Sequence, residues 1–153
     1  MMVVFSSSPG LPFGSRSAPP RASAMIEALR GLGYSTATAL ADIIDNSISA
    51  GAASVALDFA WGGEVSHVSI LDDGCGMDEH TLDRAMRLGE RSPLDARTAD
   101  DLGRFGLGLK TASFSQCRRL TVASICDGRM NCLRWDLDVL ASSPDDGWHL
   151  LEG

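Results

Sequence analysis

The sequence predicts an α+β fold of one domain, and three observations carry that prediction. Two pairs of strand-like runs are each joined by a short glycine-containing turn. Amphipathic segments long enough for helices stand before and between them. The 153 residues are 44% hydrophobic, enough for one real core.

Residues 1–21 are rich in Ser, Pro and Gly and read as a flexible leader to a domain over residues 22–153. Ser23 is the expected cap of a first short helix containing Met25, Ile26, Ala28 and Leu29, with Gly31 and Gly33 available to end it. A longer helix is expected over the segment Thr36 to Ala52, with Thr36 as its cap and Gly51 as its stop. On its wheel Leu40, Ile43, Ile44 and Ser47 share one side, while Asp42 and Asn46, four apart, lie together on another.

Strands are expected over Ser54 to Trp61 and Glu64 to Asp72, paired antiparallel across Gly62-Gly63. After DDGCGMD a helix is expected from Glu79 to Leu88, followed by a polar segment of little periodicity with the length of a functional lid, residues 88–105. A helix over about Gly106 to Phe114 then leads into a second hairpin, Arg119 to Cys126 and Met130 to Leu140. The final residues read as a loop entering another strand that is cut off.

Composition excludes several functions. A net charge of -7 and a pI near 4.8 oppose a general electrostatic grip on nucleic acid or anionic membrane. Cys75, Cys117, Cys126 and Cys132 form no C-x-x-C pair and the three histidines have no metal-ligand spacing, so zinc is not expected. Without a secretory signal or dense cysteines the thiols are expected reduced, and the longest apolar runs fall short of the ~20 residues of a membrane helix. A soluble, cytoplasmic protein is the expectation.

Three polar stretches remain. Asp42-x-x-x-Asn46 alone is an ordinary solvated helix face, Asp72-Asp73-Gly74-Cys75-Gly76 alone a tight turn, and Gly103-x-x-Gly106-x-Gly108 alone a close-packed loop. A dinucleotide-binding reading of the glycines lacks the preceding strand of a parallel βαβ unit, and GLGLKT lacks the G-x-x-x-x-G-K-[ST] phosphate loop.

In order, however, ADIIDN, DDGCGMD and GRFGLGLKT resemble the N-box and two glycine boxes of the GHKL superfamily: gyrase B, heat-shock chaperones, histidine kinases and MutL. The resemblance runs from about Ala24 to Leu140 and is nearest to the MORC-like and chaperone-like branch. It implies the Bergerat ATP-binding fold, a two-layer α/β sandwich with a mixed, mostly antiparallel sheet and helices on one face. It also implies that the sheet is truncated at the C-terminus, since relatives add further strands.

What the resemblance implies for the site agrees with the chemistry of the residues. Magnesium takes hard oxygen ligands, keeps several waters and bridges phosphates, so the Asn46 amide oxygen is the candidate metal ligand. Asp42, one turn earlier, is the candidate general base for the water attacking the γ-phosphate. Hydrolysing relatives usually carry Glu there. Asp is shorter by one methylene, and a displacement of about 1 Å can cost on the order of 100-fold, so hydrolysis is expected to be slow. Asp45 points about 100° away around the helix and suits that water less.

Asp72 is assigned to the adenine, whose exocyclic amine a carboxylate can accept. Gly74 and Gly76 would let the base approach the backbone, with Met77 as a polarisable wall. Asp73 stands where relatives often have Asn. Gly103, Gly106, Leu107 and Gly108 would present backbone N–H groups and a helix start to the phosphates, with Lys110 and Thr111 adding a cation and a hydroxyl. Arg104 is left to the surface or the lid.

The implied function is a nucleotide-gated clamp: ATP and Mg²⁺ bind, the lid closes, and closure orders an ATP-dependent homodimer of a larger protein. Nucleic acid or a client protein would be engaged only through other regions. A nucleotide-binding module without turnover is the second reading. A histidine-kinase ATP domain is the third, disfavoured because no helix here carries a phospho-accepting histidine.

Overall fold

The computed structural model describes residues 17–31, 33–88, 108–145 and 147–153. Helix α1 (Ala22–Arg30) and helix α2 (Thr36–Ser49) precede the hairpin of β1 (Val55–Ala60) and β2 (His67–Asp72). Helix α3 (Glu79–Met86) follows, then α4 (Gly108–Gln116), β3 (Arg119–Cys126), β4 (Arg129–Asp136), α5 (Leu137–Ser142) and the short β5 (Leu151–Glu152). The expected lid, with Gly103, Arg104, Gly106 and Leu107, and the first sixteen residues of the leader lie outside the described residues.

The α+β architecture is the one expected, and all strand pairing among the described residues is antiparallel. Its hydrogen bonding falls into two groups, β1-β2 and β3-β4-β5. The turn after β2 bridges them: Met77 N–H donates to Ser124 Oγ of β3 at 2.7 Å, and Gly76 lies against the Ile125 carbonyl.

Along β3 the pattern alternates, with Leu120 and Val122 turned inward and Thr121, Ala123 and Ile125 exposed. The register sets Leu120 opposite Trp135 and Val122 opposite Leu133, which builds one apolar face. Helices cover that face. The core joins Ala22 and Ile26 of α1, Leu82 and Met86 of α3, Phe114 of α4, Trp135, and Leu137 and Leu140 of α5. Each large side chain taken from water there contributes roughly 1.5 to 3 kcal/mol. Trp135 also places its indole N–H on the Met86 carbonyl at 2.9 Å, so its one polar atom is satisfied inside the core.

Of the boundaries that differ from expectation, four have a clear local reason. Helix α1 starts at Ala22, fully buried in the core, so Ser23 lies inside the first turn and Arg21 is the cap residue, with no side-chain cap bond. Ser35 rather than Thr36 caps α2: its Oγ accepts Thr38 N–H at 3.1 Å, while Thr36 Oγ1 donates to Gln116 Oε1 of α4 at 2.6 Å. The start of the second strand is displaced to His67 by a 3₁₀ turn over Gly63–Val65. Ser66 secures that turn by accepting from Gly62 N–H and donating to the Gly63 carbonyl.

The fourth is the largest difference. The expected strand to Leu140 ends at Asp136, whose Oδ1 accepts the N–H groups of Asp138 at 3.0 Å and Val139 at 3.3 Å and so starts α5. Burial pushes this carboxyl up, but those N–H bonds and the Arg119 guanidinium outweigh it and hold it below the usual carboxylate range.

Arg30 at the end of α1 donates to the carbonyls of Phe114 at 2.7 Å and Cys117 at 2.6 Å, closing the C-terminus of α4. Arg118 reaches both Glu27 of α1 and Asp138 of α5. With α2 packed along α4, this fixes the helix layer from which the site is built.

Candidate nucleotide site

The helix α2 and the turn after β2 meet at one buried hydroxyl. Ser47, 4% exposed, donates from Oγ to Asp72 Oδ2 at 2.9 Å. The other carboxylate oxygen, Oδ1, accepts the N–H of Gly74 at 2.9 Å. Two further bonds tie the same pieces together: Cys75 N–H donates to the Ala50 carbonyl at 3.0 Å and Asp73 N–H to the Ser54 carbonyl at 3.3 Å. The end of the helix carrying Asp42 and Asn46 is therefore fixed against the strand end carrying Asp72.

Asp73 has a clear structural job. Its Oδ1 accepts the N–H groups of Ala53 at 2.8 Å and Ser54 at 2.9 Å, closing the link from α2 to β1. The Ser54 N–H is the largest influence holding this carboxyl below its ordinary value; desolvation opposes it, and the Ala53 N–H adds to the lowering. Its charge is directed at backbone.

The two glycines of the turn make room for protein. A Cβ on Gly74 would come 2.8 Å from Ala50 Cβ and 3.0 Å from Asp72 Oδ1. At Gly76, with φ of 69°, it would fall 2.0 Å from the Ile125 carbonyl oxygen. Met77 likewise packs its side chain on the hydrophobic core.

On α2, Asp42 is half-buried and Asn46 exposed. Among the described residues neither the Asp42 carboxylate nor the Asn46 amide has a hydrogen-bond partner, so both present uncommitted oxygens. That donor set, a carboxylate and an amide oxygen with room for water, suits a hard cation that retains part of its hydration. Asp45 is exposed on the same helix.

Helix α4 follows the second glycine box. Among the described residues, a Cβ at Gly108 would meet nothing within 4 Å. Lys110 is 2% exposed and donates from Nζ to the Ala85 and Arg87 carbonyls, each at 2.7 Å. Its charge thus closes the C-terminus of α3, where the negative end of the helix favours a cation. Thr111, 5% exposed, directs its hydroxyl to the Gly108 carbonyl at 3.4 Å.

A cavity of about 240 Å³ opens between α3 and the β4-β5 edge, lined by Glu79, Leu82, Asp83, Asn131 and Glu152. None of Asp42, Asn46 or Asp72 lines it, and the motif residues mark the site instead. Sequence reasoning left out Ser47 as a site residue. Its signal was present: a lone hydroxyl in the apolar row of Leu40, Ile43 and Ile44 needs a buried partner.

An α+β layer whose N-box helix is bonded to a strand-end aspartate defines an ATP-binding domain of the GHKL type. Residues 34–151 match the family described as histidine kinase-, DNA gyrase B- and HSP90-like ATPases, and the chain belongs to that family. It is 35% identical over 89 residues to the DNA mismatch repair protein MutL of Methanothrix thermoacetophila, covering 58% of this chain and 15% of that protein. To MutL of Pelotomaculum thermopropionicum it is 34% identical over 87 residues, covering 54% and 14%. To the ATPase morc-1 of Caenorhabditis elegans it is 29% identical over 96 residues, covering 63% and 11%. The aligned parts are small shares of these longer proteins. Among the described residues no helix is long and apolar enough to cross a membrane.

Proposed function

We propose that this chain binds Mg-ATP between α2 and the turn after β2, hydrolyses it slowly, and uses nucleotide binding to drive closure of a lid and dimerisation of a larger protein. The observation that carries the reading is the 2.9 Å bond from Ser47 to Asp72, which couples the helix of Asp42 and Asn46 to the purine-recognising carboxylate.

In this reading Asp72 accepts the adenine amine, and Asn46 would hold Mg²⁺, which when bound neutralises phosphate charge. Asp42 orients the attacking water and takes its proton. Gly103, Gly106, Leu107 and Gly108 would supply backbone N–H groups to the phosphates, with Thr111 near the same helix start. The bonding of Lys110 to the carbonyls of Ala85 and Arg87 supports a bracing role for it over a direct phosphate contact. Family membership supports the nucleotide. The aligned parts of MutL and morc-1 support an ATPase module serving a larger machine, whose client this chain does not itself name.

The shorter carboxylate at Asp42 also favours a second reading, nucleotide binding without turnover. Phosphate release by the wild type and by Asp42→Asn, beside ATP affinity for both, separates the two. Slow release that Asp42→Asn abolishes at unchanged affinity is the expected result. Undetectable release in both proteins, with tight binding, refutes the ATPase.

A further inference from the structure

Resting on the proposed adenine role of Asp72, we propose that Ser47 is the positioning residue that aims this carboxylate at the 6-substituent of a purine and so sets the preference for an amine over a carbonyl there.

An ionised carboxylate only accepts hydrogen bonds, so the proton between Ser47 and Asp72 belongs to the hydroxyl and the direction of the bond is fixed. Ser47 holds Oδ2 and the Gly74 N–H holds Oδ1, which pins the carboxylate at both oxygens and fixes the plane in which its remaining lone pairs lie. The two tethers differ in kind. The Gly74 bond is local, two residues along the same turn. Ser47 reaches 25 residues across the fold from α2, so it alone ties the orientation of the carboxylate to the helix bearing Asp42 and Asn46.

Removing the hydroxyl leaves the carboxylate on one tether, free to turn about its Cβ–Cγ bond. Discrimination by a directed hydrogen bond decays with misalignment, whereas shape and stacking contacts to the purine do not. Ser47 is buried and small, so Ser47→Ala removes little beyond the bond.

The test is equilibrium binding of ATP and of inosine triphosphate, which carries a carbonyl in place of the amine, to the full chain. Ser47→Ala is expected to narrow the ATP preference about tenfold by weakening ATP, with inosine triphosphate changed less than about twofold. Ser47→Cys, close in size and a weak donor, is expected to narrow it as well and serves if the alanine variant is unstable. In an Asp72→Asn background Ser47→Ala should have no further effect on the preference. An unchanged preference in Ser47→Ala, or equal weakening of both nucleotides, overturns the inference while Asp72→Asn still alters the preference. A wild-type preference in Asp72→Asn overturns the adenine assignment itself and this inference with it.

Discussion

Asp73, just after β2, accepts the backbone N–H of Ser54, just before β1, across 2.9 Å, and that of Ala53 across 2.8 Å. The carboxylate is thus a clasp on the chain reversal that hands α2 to the hairpin. Its folded pKa lies below the ordinary value, so the stability it contributes is fully present above about pH 4 and is lost as pH falls through the folded value. Asp73→Asn keeps an oxygen for both N–H groups but does not titrate. Thermal unfolding between pH 6 and 2.5 should therefore show a shallower acid loss in Asp73→Asn than in wild type, with similar midpoints at pH 6. Parallel acid losses would remove the clasp from the account.

Gly76 and Gly128 both have positive φ, 69° and 75°, but among the described residues only Gly76 of the two has a neighbour that a side chain would strike. Backbone strain alone costs about 1 to 2 kcal/mol, and forcing the Ile125 strand aside adds about 1 to 3 kcal/mol. Urea unfolding should place Gly76→Ala at least about 2 kcal/mol below wild type, with Gly128→Ala losing about half that or less. Equal losses would mean that the turn does not press on β3.

Lys110 is buried with its ammonium on two carbonyls at the end of α3. Bonds to a charged group are worth about 1.5 to 3 kcal/mol, and the part-buried carbonyls left behind recover only some of that from water. Lys110→Met should cost about 2 kcal/mol or more of unfolding free energy, read by denaturant titration. A variant of wild-type stability whose ATP affinity collapses would return the ammonium to the phosphates.

The order of elements was legible because its signals are local. Glycine-flanked alternating runs marked both hairpins, and the helix expected after DDGCGMD is α3, where Leu82 and Met86 are buried one turn apart. The end of β4 was not legible: in Trp135-Asp136-Leu137-Asp138-Val139-Leu140 the alternation continues, and only the Asp136 cap and the three-residue spacing of the buried pair Leu137 and Leu140 reveal a helix.

At the site, the residue types along α2 and in the turn were readable, but their tertiary partners were not. Gly74 and Gly76 read as room for a base; that a side chain at either would also strike Ala50 or Ile125 depends on tertiary neighbours that the sequence does not show. The job of Asp73 was not readable because its partners, Ala53 and Ser54, become neighbours only when the turn folds back. The cation of Lys110 next to a glycine box suggested phosphate, yet the carbonyls it meets lie on a helix distant in sequence.

The central claim is that the oxygens of Asp42 and Asn46, uncommitted on α2, serve Mg-ATP. Titration calorimetry of ATP into the wild type and into Asn46→Ala, each with Mg²⁺ and with a chelator, tests it most directly. The account predicts that Mg²⁺ strengthens wild-type binding, and that Asn46→Ala loses at least about tenfold in affinity with Mg²⁺ and no longer responds to its removal. Asn46→Ala binding Mg-ATP as tightly as wild type would contradict it.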